Sequence, residues 1–154
     1  MRKDSIKMIL AGLLALATSA SAVAEPPVYV KLASIDAGRL VDTRSDEALR
    51  TKAAFDRARA RCIAPNGLEN QVSVIRGQLL DKRRAASNVE ILEGLAGILY
   101  GASKKPECAS ILAMYASMRL GDNPDMNTHT DVVLGIRGLA KAGILGFSVD
   151  GTPR

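Results

Sequence analysis

The sequence predicts an all-α protein: a bundle of about five helices with one disulfide, preceded by a signal peptide and an extended N-terminal arm. Three observations carry that expectation. Beyond Ser45, apolar residues recur three and four positions apart in one stretch after another, the period of a helix with one buried face. Helix punctuation separates these stretches, at Ser45, Pro65-Asn66-Gly67, Ser87-Asn88-Val89-Glu90, Pro106 and Gly121. The two cysteines, Cys62 and Cys108, both fall on apolar stripes.

Residues 1–24 have the layout of an export signal and are set aside from the fold. Arg2, Lys3 and Lys7 form the positive end, Met8 to Ala17 the apolar run, and Ala22-Val23-Ala24 a small-x-small cleavage site. An apolar run of about ten residues is too short to span a bilayer, which takes roughly 20. Neither a lipid-attachment cysteine nor a twin-arginine pattern accompanies it, so the chain is expected to cross unfolded into the bacterial periplasm or beyond. In residues 25–44, Val28, Val30 and Leu32 alternate with Tyr29, Lys31 and Ala33. That alternation predicts an extended arm lying over the helices, or a strand donated to a partner's sheet edge.

The helical domain is expected over residues 45–154. Its first helix, from about Ser45 to Ile63, buries Ala48, Thr51, Phe55, Ala58 and Cys62 and has Ser45 as N-cap, with Asp46 and Glu47 in its first turn. Arg50, Lys52, Arg57, Arg59 and Arg61 lie on its other faces, as a solvated surface or as a docking site for an acidic partner or anionic lipid heads. The second helix, Leu68 to Ala86, aligns Leu68, Val72, Ile75, Leu79 and Ala86, with Lys82-Arg83-Arg84 near its negative end. A capping box at Ser87–Glu90 opens the third, which turns Ile91, Leu95 and Ile98 inward and leaves Glu93 to solvent. The fourth runs from Pro106 to Gly121: Pro106 in the first turn, Cys108, Ile111, Leu112, Tyr115 and Met118 on the apolar face, Gly121 as a left-handed stop. A polar loop from Asp122 to Thr130 follows, containing Asn123, Asp125, Met126 and the single histidine, His129. The last helix starts near Asp131 with Thr128 or Thr130 as cap. Its glycines at 135, 138, 143 and 146 point to close backbone packing against the bundle, and Arg137 and Lys141 lie one turn apart on a polar side. A cationic helix lying on a membrane surface is the rival account of that segment.

The cysteines are expected to pair, given an oxidising destination and apolar placement. Closing a loop of that length stabilises a fold by about 4 kcal/mol. Removing Arg2, Lys3, Lys7 and Asp4 from the 21 basic and 16 acidic residues leaves 18 against 15, a net charge of +3 on the exported part. That mild excess, with no Trp, two Phe and three Tyr, argues against nucleic acid as a partner. One histidine excludes multi-histidine metal sites, and no nucleophile elbow or glycine-rich phosphate loop occurs. No cofactor, no catalysis and no membrane span after signal cleavage are therefore expected. His129, between two threonines, is expected to be an exposed side chain or a cap.

Arg61-Cys62-Ile63-Ala64, taken with Cys108 and the following Met114-Tyr115-Ala116-Ser117-Met118-Arg119-Leu120, resembles the periplasmic amidase-immunity proteins of type VI secretion systems. Those are small, signal-bearing, all-helical proteins with two cysteines. The resemblance implies a periplasmic protein that blocks a cell-wall-cleaving toxin with a surface loop. Asp122, Asn123, Asp125, Met126 and His129 are the candidate loop residues, with Arg57, Arg59 and Arg61 as a second candidate contact. Other classes compatible with the size and staple are an acid-stress or holdase chaperone and a structural subunit of an envelope assembly. The basic and glycine-rich helices could also pack on a second copy of the chain.

Overall fold

The computed structural model describes residues 24–123 and 127–151. Apart from Ala24, the expected signal peptide lies outside the described residues, and so do Asp125 and Met126. Six helices are described: α1 (Val28–Ala37), α2 (Asp46–Arg61), α3 (Leu68–Asp81), α4 (Asn88–Ile98), α5 (Cys108–Leu120) and α6 (His129–Lys141). Among the described residues there is no strand, only the isolated bridges Ile63–Glu107 and Ala102–Val149. The all-α class and the Cys62–Cys108 disulfide are as the sequence predicts.

Within the segment expected to be extended, Val28–Ala37 is helix α1, one helix more than the five expected. The Pro27 carbonyl accepts from Val30 and Lys31 N–H at 2.9 and 3.1 Å, and Gly38 closes α1 in the left-handed region at φ 63°. Period 2 failed here because tertiary contact decides the conformation of a short β-branched run. Val30 and Ala33, one turn apart, pack with Val41 and Ala48 in a small cluster against α2, while Leu32 enters the main core. That core is built from α2 to α6, with α4 in the centre and α2, α3 and α6 packed around it. Phe147 and Val149 of the tail close one end.

The caps explain the helix limits. Ser45 Oγ accepts from Ala48 N–H at 3.2 Å, as expected. Helix α3 stops at Asp81, short of the expected Ala86. Arg84 N–H bonds Leu79 O at 2.8 Å and Arg83 N–H bonds Leu80 O at 2.9 Å, a Schellman closure with Arg83 at φ 57° where glycine is usual. At the start of α4, Ser87 Oγ accepts from Glu90 N–H at 3.1 Å, which is half of the capping box. The other amides are taken by Asp36 of α1, whose carboxylate accepts from Asn88 N–H at 2.8 Å and Val89 N–H at 3.0 Å, with Arg76 of α3 lying 3.2 Å away. One carboxylate thus ties three helices at a positive helix end. Helix α5 begins at Cys108, so Pro106 lies before the Glu107 cap, and Gly121 is extended rather than left-handed.

The disulfide joins the end of α2 to the start of α5 with Cα atoms 5.1 Å apart. Ile63 N–H bonds Pro106 O and Cys108 N–H bonds Ile63 O, both at 2.9 Å, so main-chain pairing flanks the sulfur bridge.

Candidate partner-binding surfaces

The polar loop after α5 is held at its far end by α6. Thr128 caps that helix, accepting from Asp131 N–H at 3.2 Å, so the helix starts two residues before the expected Asp131. His129, in the first turn, is not the exposed side chain expected. It is half-buried, and its Nδ1 lies 2.8 Å from the Tyr115 hydroxyl of α5. Arg119, one turn along α5 and buried, reaches the same hydroxyl with Nη1 at 3.5 Å and donates Nη2 to Ala85 O at 2.6 Å. Because an arginine only donates, the Tyr115 oxygen accepts from it. Glu90 Oε1 of α4 lies 3.6 Å from both Arg119 and His129. The Glu90 carboxylate therefore faces this cluster. Burial lowers the His129 pKa against the opposing pull of Glu90, and burial pushes the Tyr115 hydroxyl up to about 12.

Gly94 makes room for the histidine. A Cβ there would lie 2.6 Å from His129 Cε1, and one at Gly97 would touch Val133 at 3.6 Å. A close approach of α6 is thus made at the glycines of α4, and three of the four glycines expected to pack closely do not. Gly138 faces open space, while Gly143 and Gly146 lie beyond the helix at φ 74° and 65°. Arg137 is also buried, not on a polar face. It donates to the carbonyls of Gly97 at 2.7 Å, Ile98 at 3.2 Å, Tyr100 at 3.0 Å and Gly151 at 2.7 Å, closing the end of α4 and fixing the tail.

At the loop's near end, Asp122 and Asn123 are exposed. The arginines of α2 diverge. Arg61 is inserted, donating to Ala96 O and stacking 5.0 Å over the Tyr100 ring, so its guanidinium is spent inside the fold. Arg57 and Arg59 are exposed on opposite sides of the helix. Arg57 lies on the side of Glu93, which is not simply solvated: Arg50 grips it through two bonds of 2.9 and 2.7 Å and holds its carboxyl below the ordinary range.

Arg59 borders a groove of about 830 Å³ between the start of α1 and the α2–α3 turn, lined also by Tyr29, Phe55, Ile63, Leu68 and Lys105. The sequence offered no sign of this groove, because Tyr29 belongs to a segment read as extended. The Glu90–Tyr115–Arg119–His129 cluster had one sign: a lone arginine one turn beyond Tyr115 on an apolar stripe. Among the described residues no group of three His, Cys, Asp or Glu side chains is placed to hold a metal ion, and no helix is long and apolar enough to cross a membrane. Comparison with protein-family models, curated proteins and solved structures finds no match for this chain.

Proposed function

We propose that this chain is an exported protein-binding module of the bacterial periplasm, acting through surface rather than catalysis, and that it inhibits a cell-wall-cleaving amidase through the loop at 122–129. The observation that carries this reading is the anchoring of the loop. Thr128 and His129 are fixed to α6 and to Tyr115, while Asp122 and Asn123 stay exposed. A loop held at its base loses less conformational freedom on docking than a free one. The resemblance of the segments around Cys62 and Tyr115 to the amidase-immunity proteins supplies the kind of partner. The test is inhibition of type VI amidase effectors by the oxidised mature protein. Inhibition is expected, weakened by Asp122→Arg and Asn123→Arg. Absence of binding, or inhibition that both substitutions leave intact, would sink the proposal.

A second reading, an acid-responsive holdase, is favoured by two carboxylates that each bridge helices, Asp36 and Glu90. Protonating them would remove charge from α4's start and from Arg119. Uptake of an apolar dye near about pH 3, with suppression of a client's aggregation, is the result that would favour it.

A further inference from the structure

The groove beside Arg59 has the chemistry of a peptide site. Half-buried Tyr29 and Phe55 give it aromatic walls, and Ile63 adds a side chain 54% exposed. Its charges are unequally matched. Lys52 is paired with Asp56 at 2.6 Å and lies 6.0 Å over the Tyr29 ring, and Glu69 sits in the first turn of α3, where the helix end offsets it. Arg59 and Lys105 are exposed and have no carboxylate partner among the described residues. One edge of the groove is extended main chain. Ile63 donates its N–H to Pro106 O and accepts from Cys108 N–H, and the Ala64 carbonyl accepts from Gly67 N–H; strand alternation turns the Ala64 N–H to the other side, where it has no protein acceptor among the described residues.

We propose that this groove binds an extended acidic segment of a partner protein. Its carboxylates would meet Arg59 and Lys105, an apolar side chain would lie between Tyr29 and Phe55, and one of its backbone carbonyls would accept from the Ala64 N–H. Uncompensated cations around an apolar floor select for carboxylate beside hydrocarbon. The aromatic walls favour an apolar side chain carried between carboxylates, which a peptide supplies and a lipid headgroup lacks. This surface is separate from the loop at 122–129, and the proposal does not depend on the amidase reading.

The test is panning a random phage-displayed peptide library against the immobilised, oxidised mature protein, with phosphatidylglycerol vesicles as a parallel probe. Enriched peptides are expected to carry Asp or Glu next to an aliphatic or aromatic residue. A synthetic copy of one should weaken about tenfold with Arg59→Glu or Lys105→Glu and with added salt, and hold its affinity with Arg57→Glu, on the opposite side of α2. Its binding should shift the ring resonances of Tyr29 and Phe55. All three charged sites are exposed, so the fold is expected to survive each change, and circular dichroism verifies it. Enrichment without acidic residues, affinity that survives both reversals, or binding only to the vesicles would overturn the proposal.

Discussion

Gly77 and Gly94 are both helical glycines, and the space around them separates their consequences. Beside Gly77, in the interior of α3, a Cβ meets nothing within 4 Å. Gly77→Ala is therefore expected to stabilise the fold by about 0.5–1 kcal/mol, through helix propensity and a less flexible unfolded chain. At Gly94 the same substitution brings a Cβ to 2.6 Å from His129 Cε1 and 3.3 Å from Val133. The imidazole must swing off the Tyr115 hydroxyl to relieve that clash, so the propensity gain is outweighed and a net loss of about 1–3 kcal/mol is expected. Denaturant midpoints of the two variants, measured side by side, check the contrast. Equal shifts would mean that His129 is not fixed against α4.

At the scale of elements, most helices were legible and one was not. The period of three and four survives wherever a helix is long enough to show two turns of stripe, as in α2, α3 and α5, and cap residues such as Ser45 and Ser87 marked the starts. Helix α1 is ten residues with β-branched positions at 28 and 30, too short for its period to outweigh alternation, although Gly38 stood at its end as a readable stop. Partners distant in sequence were beyond reach. Asp36 serving the start of α4, and Arg137 serving its end, involve separations of 52 and 40 positions. Charge among apolar neighbours on α6 was the available hint for Arg137, and it fitted a membrane surface as well as a buried cap. The candidate loop was recognisable by its polarity, the anchoring cluster behind it only in part. Arg137 now carries a prediction of its own. Arg137→Met keeps the length but leaves four carbonyls without their donor, and a loss of about 3 kcal/mol is expected. Arg137→Lys should recover only part, because a single ammonium cannot reproduce the planar fork. Amide exchange at the end of α4 and in the tail 147–151 is the readout. Exchange that speeds up uniformly across the chain would argue against a local role.

For the whole molecule, two couplings set stability. The first is protonation of His129, which faces Glu90 and Glu93 from α4 and Tyr115 and Arg119 from α5. Its folded pKa lies below 6.5, so the unfolded chain binds the proton more readily. Stability is therefore full above the unfolded value and is lost as the pH falls from there toward the folded one. Denaturant midpoints between pH 8 and 5.5 should decline in the wild type and flatten in His129→Gln; identical slopes would remove His129 as the cause. The second coupling is the disulfide. Helices α2 and α5 have little direct packing, α2 lying mainly on α4 and α1 and α5 mainly on α3 and α6, so the sulfur bridge and the main-chain pair at Ile63 hold their ends together. The 46-residue separation gives about 4 kcal/mol by loop entropy, against a usual margin of 5–15 kcal/mol. The reduced protein should accordingly remain folded but marginal, with a denaturant midpoint far below the oxidised form at unchanged helicity. Cys62→Ser with Cys108→Ser should behave in the same way, apart from the added cost of two buried hydroxyls. Because the groove edge at Cys62–Pro65 sits beside the bridge, reduction should weaken peptide capture there before it affects the loop at 122–129, whose anchors lie in α5 and α6. A midpoint that reduction shifts by less than about 1 kcal/mol would show that helix packing alone holds the two halves in register.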